Sequence, residues 1–206
     1  GFVRLSMGLT ALRGAAPAPP PQQTRQARAL AIFDFALTLT TIHMWARYKN
    51  APIDDIPVDE ATFVDLGAFR DFVWRARKED ADVAIATFGR RDVVDKALRF
   101  ALGAAHDVVI STPADHYDPI FEFSDDVDRP RCREGSDILG NKNTQIASLC
   151  SIYGLPKDAV FLADDDAGNV AAAQKYGIRA QHTPGGANTR ILDALFLDLL
   201  AHFMMC

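Results

Sequence analysis

The chain has 206 residues, enough for one domain with a full core and tight for two. Hydrophobic residues make up 49% and charged residues 24%, and the net charge of −5 argues against a nucleic-acid binder held mainly by phosphate contacts. A small anionic substrate stays open, because a local site can be positive on an acidic protein.

The first 33 residues carry Arg4, Arg13, Arg25 and Arg28 and no acidic residue. That composition is similar to an organellar transit peptide. Residues 15–23 read AAPAPPPQQ, a proline density that favours extended polyproline II over a regular element. Residues 1–27 are therefore expected to be a flexible appendage, with the folded domain over 28–206. Short apolar runs then alternate with amphipathic stretches. Strands are predicted at 29–35, 82–87, 106–112, 159–164 and 178–183. Helices are predicted at 61–80, 91–103, 143–154, 168–177 and 188–203. In the first of these, Phe63, Leu66, Phe69, Phe72, Val73 and Ala76 recur at helical spacing. Apolar strands alternating with helices predict an α/β fold, a doubly wound parallel sheet covered on both faces. Cys132, Cys150 and Cys206 are an odd set without C-x-x-C spacing, which fits a reducing compartment. No apolar run reaches the roughly 18 residues of a membrane span. A cytoplasmic location is expected, with organellar targeting as the alternative.

In a doubly wound fold, ligands sit at the carboxyl ends of the strands. The first strand ends at Asp34, the second at Thr87, and the fourth at Asp164, Asp165 and Asp166. Lys142 stands at the start of the helix before the fourth strand. Singly, each has an ordinary reading as turn chemistry, a helix cap or a core polar group. Three adjacent carboxylates, however, repel one another unless solvated or neutralised by a cation. Together these residues suggest phosphoryl transfer, with a carboxylate nucleophile, a carboxylate-held Mg²⁺, and a lysine and a hydroxyl on the phosphate oxygens.

AIFDFALTLT resembles the first motif of the haloacid-dehalogenase-like (HAD) phosphatases, an apolar strand followed by D-x-D-x-T. IAT, Lys142 in GNKNTQ and VFLADDDAGNV resemble the second, third and fourth motifs, in order, over about residues 28–206. The resemblance implies a Rossmann-like core and these roles. Asp34 is the nucleophile and a Mg²⁺ ligand, and the Ala36 carbonyl is a second ligand. Asp164 and Asp165 complete the protein's share of the coordination. Thr87 and Lys142 hold phosphoryl oxygens, Thr38 orders the loop after the first strand, and Asp166 starts a helix. Arg90 or Arg91 is expected to reach substrate, and Trp45, Arg47, Tyr48 and Lys49 offer a grip. TPGGAN (183–188) is expected to shape the rim.

Position 36 departs from the pattern. The resemblance calls for a second aspartate there, which protonates the leaving oxygen and then activates water; Ala36 can do neither. Its backbone carbonyl is the only part of Ala36 that a catalytic site can use. His43 is a weak substitute. The expectation is a Mg²⁺-dependent phosphomonoester hydrolase that works through an aspartyl-phosphate and is impaired here. Retention of the other residues favours a deliberate inactivating change over drift to a natural pseudophosphatase that acts as a binding module. Neither stretch where such enzymes insert a cap is long enough for a large one, which implies an open, capless site. The expected partner is a phosphorylated small molecule or phosphoprotein, with no nucleic acid and no membrane; a homodimer is left open. A receiver-like phosphoacceptor is disfavoured, because its acid pair would come at the first strand and its lysine at the last.

Overall fold

The computed structural model describes residues 27–116 and 142–205. Residues 1–26 of the expected appendage, Cys132, Cys206 and most of the second cap segment lie outside the described residues, while Ala27, placed in the appendage, is buried. Five strands form one parallel sheet: β1 Ala29–Phe33, β2 Ala81–Ala86, β3 Val109–Ser111, β4 Val160–Asp164 and β5 Arg179–His182. Their spatial order is β3-β2-β1-β4-β5, so β1 and β4 are neighbours and the winding reverses between them. That reversal opens a crevice at their carboxyl ends. All five residues of β1 are buried, as expected of a central parallel strand covered on both faces.

Alternation along the strands sorts the core into two layers. Ala29, Ala31 and Phe33 of β1 pack with Phe161 and Ala163 of β4 against α2 (Leu66–Lys78), α3 (Arg91–Leu102) and α6 (Thr189–Met205). Leu30, Ile32, Val160 and Leu162 face α4 (Asn143–Tyr153) and α5 (Ala167–Lys175). Phe33 meets Phe69 and Phe72 edge-on at 5.8 and 5.3 Å. Truncating such a ring costs about 3–5 kcal/mol.

Two predicted elements change. The stretch predicted as one helix over 61–80 divides: Glu60–Thr62 is a single 3-10 turn, and α2 begins only at Leu66. Two aspartates cause the break. Asp59 closes a capping box with Thr62, and Asp65 accepts from the Ala68 amide as the cap of α2. Phe63, expected on the helix, instead forms a bridge with Thr40 and is buried in the core. The third strand is shorter than 106–112: the His106 amide closes a turn onto the Gly103 carbonyl at 3.2 Å, and pairing with β2 begins only at Val109.

The chain between β1 and α2 holds one five-residue helix, α1 (Met44–Tyr48), and single-turn helices at Ile53–Asp55 and Glu60–Thr62. This segment is tied down from α3. The Lys96 ammonium donates to the carbonyls of Ile53 and Ile56, both at 2.8 Å. No described helix is long and apolar enough to cross a membrane.

Candidate active site at the carboxyl ends of β1 and β4

Strand parity places the site's two central acids. Asp34 follows Leu30 and Ile32, and Asp164 follows Val160 and Leu162, so both continue the row that faces α4 and α5. The Asp34 amide donates to the Ala163 carbonyl at 2.9 Å, which locks the two strand ends together. Lys142 immediately precedes α4, and its ammonium donates to Asp34 Oδ1 and, at 2.7 Å, to Asp164 Oδ2. All three residues are at least nine-tenths buried.

One ammonium cannot neutralise the carboxylates around it. Burial pushes the Asp34 carboxyl up to about 7; Lys142 opposes the rise and Asp164 adds to it. Burial alone would lower Lys142, but Asp34 and Asp164 outweigh it and hold the amine above the usual lysine value. Lys142 is thus charged, and Asp34 is the group left without full compensation. Oxygens of Asp34, Asp164 and Asp165 all lie within 4.8 Å of one another. Three convergent carboxylates with a charge deficit fit a hard divalent cation such as Mg²⁺, which takes oxygen ligands.

Supporting contacts fix this cluster. Asp164 Oδ1 accepts from the Asp166 amide at 2.9 Å, and the Asn169 side-chain amide reaches both Asp164 oxygens. Thr38 Oγ1 accepts from the Asp165 amide at 2.9 Å and donates to Asp165 Oδ1 at 3.2 Å. Thr38 thus joins the loop after β1 to the loop after β4. Asp166 caps α5 through the Gly168 and Asn169 amides.

Thr87 is buried at the end of β2, its amide held by the Ser111 carbonyl at 3.0 Å and its Oγ1 accepting from the Gly89 amide at 3.0 Å. Gln145, one turn into α4, donates to the carbonyls of Thr87 and Ser111. Asn169 and Gln145 were not singled out from the sequence. Each lies one turn inside a helix that opens with a singled-out residue, and that spacing is the signal that could have found them.

Other expected site residues have different occupations. Arg90 stands in the chain three residues after Thr87, but its guanidinium donates to the carbonyls of Tyr48 and Ala51 at 2.9 and 2.6 Å and pairs with Asp92. Arg91 pairs with Asp115 at 2.5 Å. The His43 ring is spent as the cap of α1, accepting from the Ala46 amide. TPGGAN does reach the loop after β1: the Ala187 amide donates to the Thr38 carbonyl at 2.7 Å. Gly186 has φ +78°, and a Cβ there would lie 2.5 Å from Val64 Cγ2, so only glycine fits.

Ala36 is half-buried and shares a small hollow with Met44, Trp45, Thr87 and Val93. No carboxylate occupies this side of the site among the lining residues.

No family model matches the chain, and no curated protein matches it. Solved structures share its fold. A HAD-like phosphatase from Mesorhizobium loti superposes with a TM-score of 0.53 at 13% identity, over 91% of this chain and 90% of that one. The HAD domain of the effector protein Lem4 from Legionella pneumophila gives 0.52 at 12%, over 85% and 95%. The N-terminal part of the protein BF1531 from Bacteroides fragilis, which contains a phosphatase domain and was solved with Mg, gives 0.52 at 12%. That match covers 84% of this chain, which spans 40% of the BF1531 chain. At these identities the likeness establishes the fold alone, a Rossmann-like doubly wound parallel sheet of the kind these HAD-domain structures have.

Proposed function

We propose that this chain is a phosphatase-type hydrolase domain of the HAD kind, with a site for Mg²⁺ and a phosphoryl group at the carboxyl ends of β1 and β4. Its hydrolysis of phosphate monoesters is slow because position 36 is alanine. The observation that carries the reading is the buried Lys142 ammonium, which bridges Asp34 and Asp164 with Asp165 alongside. Two buried carboxylates share one buried lysine at the ligand-binding edge of the sheet, and a third, half-buried, stands within 4.8 Å of them. Such a costly, strongly perturbed cluster is characteristic of functional sites.

Asp34, Asp164 and Asp165 would hold the metal, with the Ala36 carbonyl as a backbone donor. When bound, the metal supplies positive charge against the transferring phosphoryl group. The Asp34 carboxylate attacks phosphorus, forming a P–O bond to its own oxygen as the bond to the leaving oxygen breaks. Lys142 and the Thr87 hydroxyl stabilise the phosphoryl oxygens, which carry most of the charge. Water then cleaves the aspartyl-phosphate. Both halves benefit from a proton donor and acceptor beside Asp34, and Ala36 offers none.

The test is turnover of 4-nitrophenyl phosphate by the Ala36→Asp protein beside the chain as it stands. General acid–base catalysis contributes about 10²–10⁴-fold, so a Mg²⁺-dependent gain of that size is expected. Recovery would fit a phosphatase disabled by one change. If neither protein turns over, the alternative gains: a pseudophosphatase that keeps the pocket in order to bind, for which Ala36 is the specific support.

A further inference from the structure

Thr87 closes β2 at a point where the sheet cannot satisfy it. The Thr87 amide donates to the Ser111 carbonyl at 3.0 Å, and Ile85 and Ala86 stand in register with Ile110 and Ser111. Continued in that parallel register, the Thr87 carbonyl would accept from the amide of residue 113. Residue 113 is proline, which has no amide proton and opens a 3-10 turn. The last rung of the ladder is therefore missing, on a residue that is 1% exposed. A buried carbonyl of this kind needs another donor.

Gln145 supplies it. From the first turn of α4, its side-chain nitrogen donates to the Thr87 carbonyl at 2.8 Å and to the Ser111 carbonyl at 3.0 Å. Both partners are acceptors, so the nitrogen and not the oxygen must face them. The Gln145 side-chain oxygen is buried without a partner, so among the described residues these two carbonyls alone hold the amide.

This amide stands between the two groups that would hold phosphoryl oxygens. Lys142 lies three residues earlier, at the start of the same helix, and is anchored separately by Asp34 and Asp164. Thr87 Oγ1 accepts from the Gly89 amide, which leaves its own proton for a phosphoryl oxygen. Where that hydroxyl points depends on how the Thr87 backbone is held, and Gln145 holds its carbonyl. Neither hydrogen bond of Gln145 goes to Asp34, Asp164 or Asp165.

We infer that Gln145 is a positioning residue for the phosphoryl group: it replaces the sheet hydrogen bond that Pro113 cannot give and thereby sets the Thr87 hydroxyl relative to Lys142. The inference rests on the proposed function and adds to it a residue that acts through Thr87 without touching substrate.

The test titrates Mg²⁺ alone, and inorganic phosphate in saturating Mg²⁺, into the full chain by calorimetry. The unaltered protein is compared with Gln145→Met, Thr87→Val and the double variant. Methionine keeps the length of the side chain and removes the donor. Gln145→Met should weaken phosphate about tenfold, the scale of one hydrogen bond, and leave Mg²⁺ affinity within about twofold. Thr87→Val should weaken phosphate at least as much. Added to Thr87→Val, Gln145→Met should cost no more than about twofold further, because the hydroxyl through which it acts is gone. Unchanged phosphate affinity in Gln145→Met, equal losses for phosphate and Mg²⁺, or losses that multiply in full in the double variant overturn the inference while the phosphoryl site stands. No phosphate binding by the unaltered chain overturns both. Should Gln145→Met fail to fold, the side-chain amide protons of Gln145 are followed by NMR in the unaltered chain. Phosphate added in saturating Mg²⁺ should shift them, and unmoved signals overturn the inference.

Discussion

Two regions of the molecule lie side by side at the carboxyl edge of the sheet and are built on opposite lines. Asp34, Lys142 and Asp164 are buried and held by several partners: strand pairing, the Asn169 amide, the Asp166 amide and, through the half-buried Asp165, the Thr38 link. From Ala36 to Ala51 the chain is a strap with one short helix; apart from Thr38, its side chains beside Thr87 are the apolar Ala36, Met44 and Trp45, and its Tyr48 and Ala51 carbonyls are pinned by Arg90. The first region can bind and attack; the second has no group to move a proton. Binding and proton transfer are separable tasks, and this chain is equipped for the first.

The comparison is broken most severely at Lys142. Lys142→Met leaves buried carboxylates facing one another without a cation. Metal-free stability should fall by about 3–5 kcal/mol in urea denaturation, the usual cost of breaking a buried charge pair. Part of the loss should return with millimolar Mg²⁺. A loss below about 1 kcal/mol would mean that the cluster is solvated and poorly suited to hold a metal.

Gly186→Ala tests the join between the regions, because Gly186 lies where the rim turn packs on Val64 and the Leu37 carbonyl. The positive φ and the close contact should together cost about 1–3 kcal/mol, read from the urea midpoint. Arg90→Ala should cost about 0.5–1.5 kcal/mol, because it strips a donor from the half-buried carbonyls of Tyr48 and Ala51. If Arg90 binds substrate instead, the substitution will weaken phosphate binding and leave stability unchanged.

Protons give a subtler reading. Burial holds the Asp34 carboxyl at about 7, above its ordinary value of 3.8, so between the two the folded state keeps a proton that the unfolded chain has released. Asp34 therefore favours folding at low pH, and this contribution is lost as pH rises from about 4 to about 7. A cation that binds the ionised carboxylate reverses the trend. The rise in melting temperature caused by Mg²⁺ should be larger at about pH 8 than at about pH 6. A Mg²⁺ effect independent of pH over that range would place the metal away from Asp34. The smallest effect is expected at Phe88: exposed and outside the core, Phe88→Ser should change stability by no more than about 0.5 kcal/mol in urea.

Much of this arrangement was legible in the sequence. Asp34, Thr87, Asp164 and Asp165 could be placed because apolar runs ended on them, and parallel strands present their carboxyl ends on one edge. Lys142 followed from its place at the start of a helix. The rest depended on contacts that no local pattern encodes. Arg90 lies 39 residues from Ala51, and nothing in either segment announces that a guanidinium will pin that carbonyl. The split of the predicted 61–80 helix was signalled by Asp59 and Asp65, but the spacing of apolar residues ran through them and Phe63 was read as a helical residue. The shortening of β3 depended on the turn after α3, where the His106 amide bonds the Gly103 carbonyl instead of joining the sheet.

The most direct test of the central claim is calorimetric titration of inorganic phosphate into the chain as it stands, with and without saturating Mg²⁺, beside Asp164→Asn. Phosphate should bind only with Mg²⁺, and Asp164→Asn should abolish the binding while keeping a folded circular-dichroism spectrum. Binding that ignores Mg²⁺, or that survives Asp164→Asn unchanged, would contradict a metal and phosphoryl site at the ends of β1 and β4.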